Sequence, residues 1–315
     1  MPGLLAIILA RIIDSDHQPI SYLFFAFVAT GVLDAGHVYG TVWRTYLNAK
    51  EVRRLRLYLF LPIALFLIFF LWLNFSLPLL GAFVVYATIF HNIRQFFGIN
   101  KWYQKLNGQF SKASDYFVYL LCFIPFVAFH FRSFPPSEFL YYSDEGTFFH
   151  PSHLLLQITF VLYGVVLFSW IVFEFLRLKK YGDWNRSLSV LIPGIIYGFS
   201  FISAKNEAEV VFPLVAAHGA AYFALSALAL KRTQSYRFSS FTTALIGFSL
   251  VAFIFGSIEF EWGDPLTESE TPFHDLYMSL FLTPLFCHYI FDMFLWTRHH
   301  PESKMVFAKS TEEVH

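Results

Sequence analysis

The chain has 315 residues, of which 57% are hydrophobic, 21% are aromatic and only 14% are charged, and its formal net charge is zero. A soluble domain of this length cannot cover so much apolar surface, and a neutral chain lacks the basic excess that nucleic-acid binding requires. We therefore expect an all-α, polytopic transmembrane helix bundle that forms a single integral membrane domain over residues 1–315, surrounded by the lipid bilayer.

Nine apolar stretches are predicted to span the membrane, within a range of eight to ten. They cover residues 20–42, 57–75, 78–99, 116–131, 154–176, 188–204, 210–230, 241–258 and 273–297. Residues 1–19 come before the first span, and their apolar part, residues 4–13, reaches only about half-way across a hydrocarbon core at ~1.5 Å per residue. We expect this N-terminal segment to be interfacial or re-entrant.

Basic residues gather in every second loop between the predicted spans. The loops after spans one, three, five and seven are basic, whereas the longest alternate loops, residues 132–153 and 259–271, are acidic or neutral. The positive-inside rule then places the N-terminus outside and makes residues 298–315 a cytoplasmic tail. We expect the protein in a bacterial inner membrane.

Four histidines, each in a different apolar stretch, are the main candidates for function: His37, His91, His218 and His288. All four lie on odd-numbered spans, which run in the same direction. The first basic residues after these four spans are Arg44, Lys101, Lys231 and Arg298. Each histidine precedes the basic residue of its own span, by seven, ten, thirteen and ten residues respectively. At ~1.5 Å per residue this is roughly 10–20 Å, so the four imidazoles are predicted to share one layer in the inner half of the bilayer.

Each of these histidines has a polar side chain one helical turn away: Asp34 beside His37, Arg94 and Gln95 beside His91, Tyr222 beside His218, and Asp292 beside His288. Polar groups in hydrocarbon cost several kcal/mol each unless they are paired or ligated. Neutral imidazole is a common ligand for iron, copper and zinc, and a ligating histidine usually gives its other N–H to a carboxylate or carbonyl. The pattern predicts a shared metal site in which Asp34 and Asp292 orient imidazoles. Three small residues beside the histidines are expected to allow close helix approach: Gly31, Gly36 and Gly219.

Three short segments carry a resemblance to a known family: Leu33-Asp34-Ala-Gly-His37, Phe90-His91 and His288-Tyr-Ile-Phe-Asp292. They are similar to motifs of the Brp/Blh family of membrane β-carotene dioxygenases, in which single histidines on separate helices hold one non-haem iron near a lipophilic substrate. The family's first motif places histidine before aspartate, whereas here Asp34 precedes His37. The resemblance implies a membrane oxygenase with Fe(II) as its cofactor.

We therefore expect a metal-dependent oxidoreductase in which the four histidines bind one ion, most simply Fe(II), and O₂ is activated against a lipophilic substrate. Arg94 and Gln95 are predicted to hold a polar head group or an oxygen-derived anion. Imidazole also suits zinc, copper or haem b. Three alternatives remain open: a haem-b electron carrier, a proton-coupled transporter or channel without metal, and a non-catalytic subunit with a membrane-protein partner.

Two smaller predictions concern packing. Cys122 and Cys287 lie inside apolar stretches, so we expect them to be small buried residues and not a disulfide. Glu174 and Arg177 are three residues apart near the basic end of the fifth span, and this spacing predicts an ion pair. Phosphate-binding glycine loops, serine-hydrolase elbows and the clustered histidine boxes of membrane desaturases do not occur in the sequence.

Overall fold

The computed structural model describes residues 1–13, 18–46, 56–77, 79–133, 150–233, 241–267 and 273–296. Across these ranges the regular secondary structure is helical, and no strand occurs in them. The predicted cytoplasmic tail, residues 298–315, lies outside the described residues, as does most of the predicted outer loop over residues 132–153.

The described ranges contain ten helices, and two of these helices have a π-helical part. In chain order they are α1 (Pro2–Ile12), α2 (Pro19–Thr45, π-helical over Phe27–Ala35), α3 (Leu57–Asn74), α4 (Leu80–Leu106), α5 (Lys112–Phe129), α6 (His153–Tyr181), α7 (Trp184–Ser203, π-helical over Phe199–Ser203), α8 (Glu207–Thr233), α9 (Phe241–Thr267) and α10 (His274–Leu295).

Eight of the described helices are long and apolar enough to cross a membrane, and the prediction of an all-α, multi-pass membrane protein is confirmed. Of the nine predicted spans, the one on α4 is not among these eight, because the polar run from His91 to Gln95 lowers its mean hydropathy. The predicted loop after residue 258 begins later than expected, since α9 continues to Thr267.

The described helices divide into two compact units. The single integral membrane domain over residues 1–315 stays a prediction. The first unit comprises Met1–His17 and Gly81–Ala217, and the second unit comprises Gln18–Leu80 and His218–His315. Helix α8 contributes residues 207–217 to the first unit and its remaining residues to the second.

The first unit has an apolar core contributed by α4 to α8. Its fully buried members include Ile93, Leu121, Cys122, Ile196 and Tyr197. The N-terminal helix α1 packs against this core through Gly3, where a Cβ atom would lie 2.5 Å from the Ile196 side chain. The short apolar helix is therefore held by close contact with α7.

Buried polar contacts tie the helix ends of the first unit together. The Arg177 Nε donates to Glu174 Oε2 at 2.6 Å, so the predicted ion pair is confirmed, and both side chains are at least nine-tenths buried. The Ser187 hydroxyl also donates to Glu174, at 2.7 Å, which links α6 to α7. Because both charges are paired and hydrogen-bonded, their burial is tolerated.

The second unit packs α2 against α9 and α10, and α3 against α10. Pro62 lies inside α3 and has no N–H, so the carbonyl of Tyr58 one turn earlier loses its helical partner. The Tyr46 hydroxyl donates to that carbonyl. Burial raises the pKa of the Tyr46 hydroxyl, which keeps it protonated as a donor. The second cysteine, Cys287, is buried and free as expected.

Candidate functional site

Three of the four predicted histidines meet inside the second unit. His37 on α2, His218 on α8 and His288 on α10 are only 2%, 2% and 0% exposed. One ring nitrogen from each lies within 4.8 Å of those of the other two. The rings of His37 and His218 meet edge to face with centroids 4.6 Å apart, and those of His37 and His288 do so at 4.7 Å.

The hydrogen bond of His37 decides which of its nitrogens faces the cluster. Its Nδ1 lies 2.9 Å from the carbonyl oxygen of Leu33, one helical turn earlier. A carbonyl oxygen only accepts hydrogen bonds, so Nδ1 carries the proton and Nε2 carries a lone pair. This Nε2 lies 3.0 Å from Nε2 of His218.

A threonine connects the third histidine to a buried tyrosine. Thr41 Oγ1 lies 2.6 Å from Nδ1 of His288 and 2.8 Å from the hydroxyl of Tyr222. When His288 donates from Nδ1 to Thr41, its Nε2 is left with a lone pair for a metal. The arrangement then matches that of His37, in which the other ring N–H is held by an acceptor outside the cluster.

The two carboxylates predicted to orient the imidazoles lie close to them without taking these hydrogen bonds. Asp34 Oδ1 is 3.9 Å from His37 Nδ1, whose proton goes to Leu33, and the Asp34 side chain is 43% exposed. Asp292 Oδ2 is 3.9 Å from Nε2 of His288, and its side chain is 9% exposed. The Leu33 carbonyl and the Thr41 hydroxyl make the shorter contacts with these rings, and orientation of the imidazoles by Asp34 and Asp292 stays a prediction.

A glycine brings two of the histidine-bearing helices together. A Cβ atom at Gly219 would lie 1.9 Å from the carbonyl oxygen of Leu33, so only glycine allows α8 to approach α2 this closely. The same Leu33 carbonyl accepts from His37, and His218 directly precedes Gly219. The close approach thus sets His218 opposite His37.

His91, the fourth predicted ligand, belongs to the first unit. It is half-buried on α4, as is Gln95, whereas Arg94 is exposed. The Arg94 guanidinium donates to the Tyr119 hydroxyl at 2.7 Å and lies over the Phe97 ring at 4.9 Å. A ligand role for His91 and head-group binding by Arg94 and Gln95 stay predictions.

Two residues of the site were not predicted from the sequence. Thr41 was not among the candidate residues, and Arg44 marked only the end of a span, although this arginine is fully buried. The Arg44 guanidinium lies 4.1 Å above the Trp296 ring and interacts electrostatically with Asp292. The signal was present as a polar stripe on one face of an apolar helix: Asp34, His37, Thr41 and Arg44.

Comparison of the chain with models of protein families, with curated proteins and with solved structures gives no match. The resemblance to the Brp/Blh dioxygenases thus stays a prediction.

Proposed function

We propose that the protein is a membrane-embedded, metal-dependent oxidoreductase that acts on a lipophilic substrate. The observation that carries the proposal is the convergence of His37, His218 and His288 in the interior of the second unit. Two nitrogens on adjacent positions of a metal with bonds of ~2.0–2.1 Å are about 2.8–3.4 Å apart, for angles from ~90° to tetrahedral. The 3.0 Å between the Nε2 atoms of His37 and His218 fits this spacing.

The donor set suits a divalent ion with open coordination positions. Three neutral imidazoles leave its charge uncompensated, and Asp292 supplies a nearby carboxylate, 3.9 Å from His288 Nε2. When bound, Fe(II) in such a nitrogen-rich, open site supplies the chemistry of O₂ activation. Zinc and copper accept the same ligands, so the choice of iron is part of the proposal.

The protein's own groups position this centre and control protons around it. The Leu33 carbonyl fixes the tautomer of His37 because it can only accept, and the Thr41 hydroxyl holds the ring of His288 through Nδ1. Tyr222 is fully buried and reaches His288 through Thr41, so its hydroxyl is placed to pass a proton toward the imidazole or away from it. The substrate is lipophilic because α2, α8 and α10 are all helices of membrane-crossing length and composition.

A single ion fits this arrangement better than a haem does. A haem held by His37 and His218 together would need room for the porphyrin between the two ring nitrogens. These nitrogens are only 3.0 Å apart, so the two rings do not fit as a pair of haem ligands.

Metal analysis together with an absorption spectrum tests the proposal directly. Full-length protein is purified in detergent without chelators, and a second sample is reconstituted with Fe(II). We expect about one iron per chain and no Soret band. A Soret band would favour electron transfer through haem, and the absence of any bound iron, zinc or copper after reconstitution would overturn the proposal.

A proton-coupled transporter is the second candidate, and one observation favours it. Tyr222, Thr41 and His288 form a continuous hydrogen-bonded chain in the interior. Without metal, Nε2–H of His218 donates to Nε2 of His37, so the same geometry is compatible with proton transfer. This function requires pH-dependent flux in liposomes by protein that contains no stoichiometric metal.

A further inference from the structure

A mainly apolar pocket of about 220 Å³ lies beside the histidine cluster in the second unit. It is formed by α2, α3 and α10, and its walls include Val38, Val42, Pro62, Pro284 and Phe291. The Thr41 and His288 side chains of the candidate centre also line it. A molecule in this pocket would therefore touch both hydrocarbon side chains and the centre.

The pocket leads from the surface of the unit to its interior. Val42, Pro62 and Pro284 are half-buried. Val38 and His288 are buried, with exposures of 5% and 0%. All three helices have the length and composition of membrane spans, so in a bilayer we expect the accessible side of the pocket to face hydrocarbon.

Two prolines line the pocket. Pro62 in α3 and Pro284 in α10 both lie inside helices. A proline inside a helix removes one backbone hydrogen bond and disfavours a straight helix axis. At the rim, the Tyr46 side chain is held by its hydrogen bond to the Tyr58 carbonyl.

We propose that this pocket binds a slender hydrocarbon chain of the substrate and holds it against His288 and Thr41. On α2 the lining extends from Val38 to Tyr46, which is roughly 12 Å at the rise of an α-helix. A polar ligand would leave its groups unpaired against these walls, whereas a hydrocarbon chain enters from the bilayer without crossing water. The inference deepens the proposed function and rests on it for the reacting group.

Photolabelling with hexadecane that carries a diazirine tests the pocket in the full-length, detergent-purified protein. Adducts are mapped by mass spectrometry, and bound metal is measured in the same samples. Val42→Phe fills the pocket from α2, and Thr283→Leu fills it from α10 in case the first variant does not fold. Ile63→Phe is the matched control, since Ile63 neighbours Pro62 and is 61% exposed.

We expect adducts on the pocket-lining residues of α2 and α10 that excess unlabelled hexadecane removes. Because added bulk displaces buried methylene groups, pocket labelling falls roughly tenfold in Val42→Phe or Thr283→Leu and is unchanged in Ile63→Phe. Bound metal stays at the wild-type level in all three variants. Adducts that spread over exposed helix faces and are equally abundant in the pocket variants and the wild type would overturn the proposed hydrocarbon pocket. The metal proposal would be unaffected. Pocket labelling in protein without metal would overturn the proposed function alone.

Discussion

Nε2 of His218 lies 3.0 Å from Nε2 of His37, although the two residues are separated by 181 positions in the chain. Both side chains are 2% exposed, and the Nδ1 proton of His37 is already committed to Leu33. Two buried nitrogens that face each other in this way share either a proton or a metal ion.

Removal of any one cluster histidine is expected to abolish metal binding. His37→Ala, His218→Ala and His288→Ala should each lower metal affinity by more than about 100-fold, the upper range for the loss of an outer partner of a ligand. Metal per chain is measured by mass spectrometry after dialysis. His130→Ala in the first unit is the control and should keep wild-type metal, while His91→Ala tests the predicted fourth ligand. Wild-type metal in all three cluster variants would exclude the proposed centre.

The Thr41 hydroxyl is expected to matter through the orientation of His288. Thr41→Val keeps the shape of the side chain but removes the bonds to His288 and Tyr222, so metal affinity should fall about 10–100-fold. Thr41→Ser retains the hydroxyl and should restore affinity. The affinity is measured by competition with a chelator of known strength. Equal affinities for the valine and serine variants would show that Thr41 does not orient the ligand.

Gly219→Ala is expected to disturb both packing and metal binding. The added Cβ overlaps the Leu33 carbonyl, which holds His37, and overpacking of this kind costs about 1–3 kcal/mol. The melting temperature in detergent and the bound metal should therefore both fall. Gly164→Ala on α6 is the matched control because its Cβ would meet nothing within 4 Å. Similar behaviour of the two variants would argue against a tight contact at Gly219.

The buried ion pair of the first unit is expected to be sensitive to the loss of one partner. Glu174→Ala or Arg177→Ala leaves an uncompensated buried charge, which costs about 3–5 kcal/mol. The double variant should be less destabilised than the sum of the two single variants. Lys179→Ala, at an exposed position of the same helix, should change the melting temperature little. Additive single effects would show that the two charges do not interact.

His130 is expected to make the protein less stable in mild acid. Burial lowers the pKa of His130 from its usual value of 6.5, and its Nε2 accepts from the Tyr86 hydroxyl. Below about pH 6.5, His130 therefore binds a proton in the unfolded chain but stays neutral in the folded chain until the pH falls further. The stabilisation is complete above this pH and is lost as the pH falls toward the lowered pKa. In melting curves, His130→Gln should show a weaker loss of stability on acidification than the wild type, and identical pH profiles would contradict the assignment.

Regular helical spacing made several features predictable. The hydropathy of the chain specified membrane-crossing helices, and the three-residue spacing of Glu174 and Arg177 specified their ion pair, because neighbours on one helix are set by a constant geometry. The sequence also placed His37, His218 and His288 on three separate helices. The loop predicted over residues 259–271 was too long, since α9 continues past residue 258 into a polar segment.

The choice of partners between helices depended on the tertiary structure. The helical period does not indicate that the Leu33 carbonyl accepts from His37. It also does not indicate that Thr41 contacts Nδ1 of His288, or that Arg44 is buried. Inside lipid, helices associate through a few small residues and hydrogen bonds and without a strong hydrophobic drive, so the contact at Gly219 decides more than the apolar pattern does. The sequence by itself thus determined which side chains are costly in a membrane, and the packing of α2, α8 and α10 decided which of them meet.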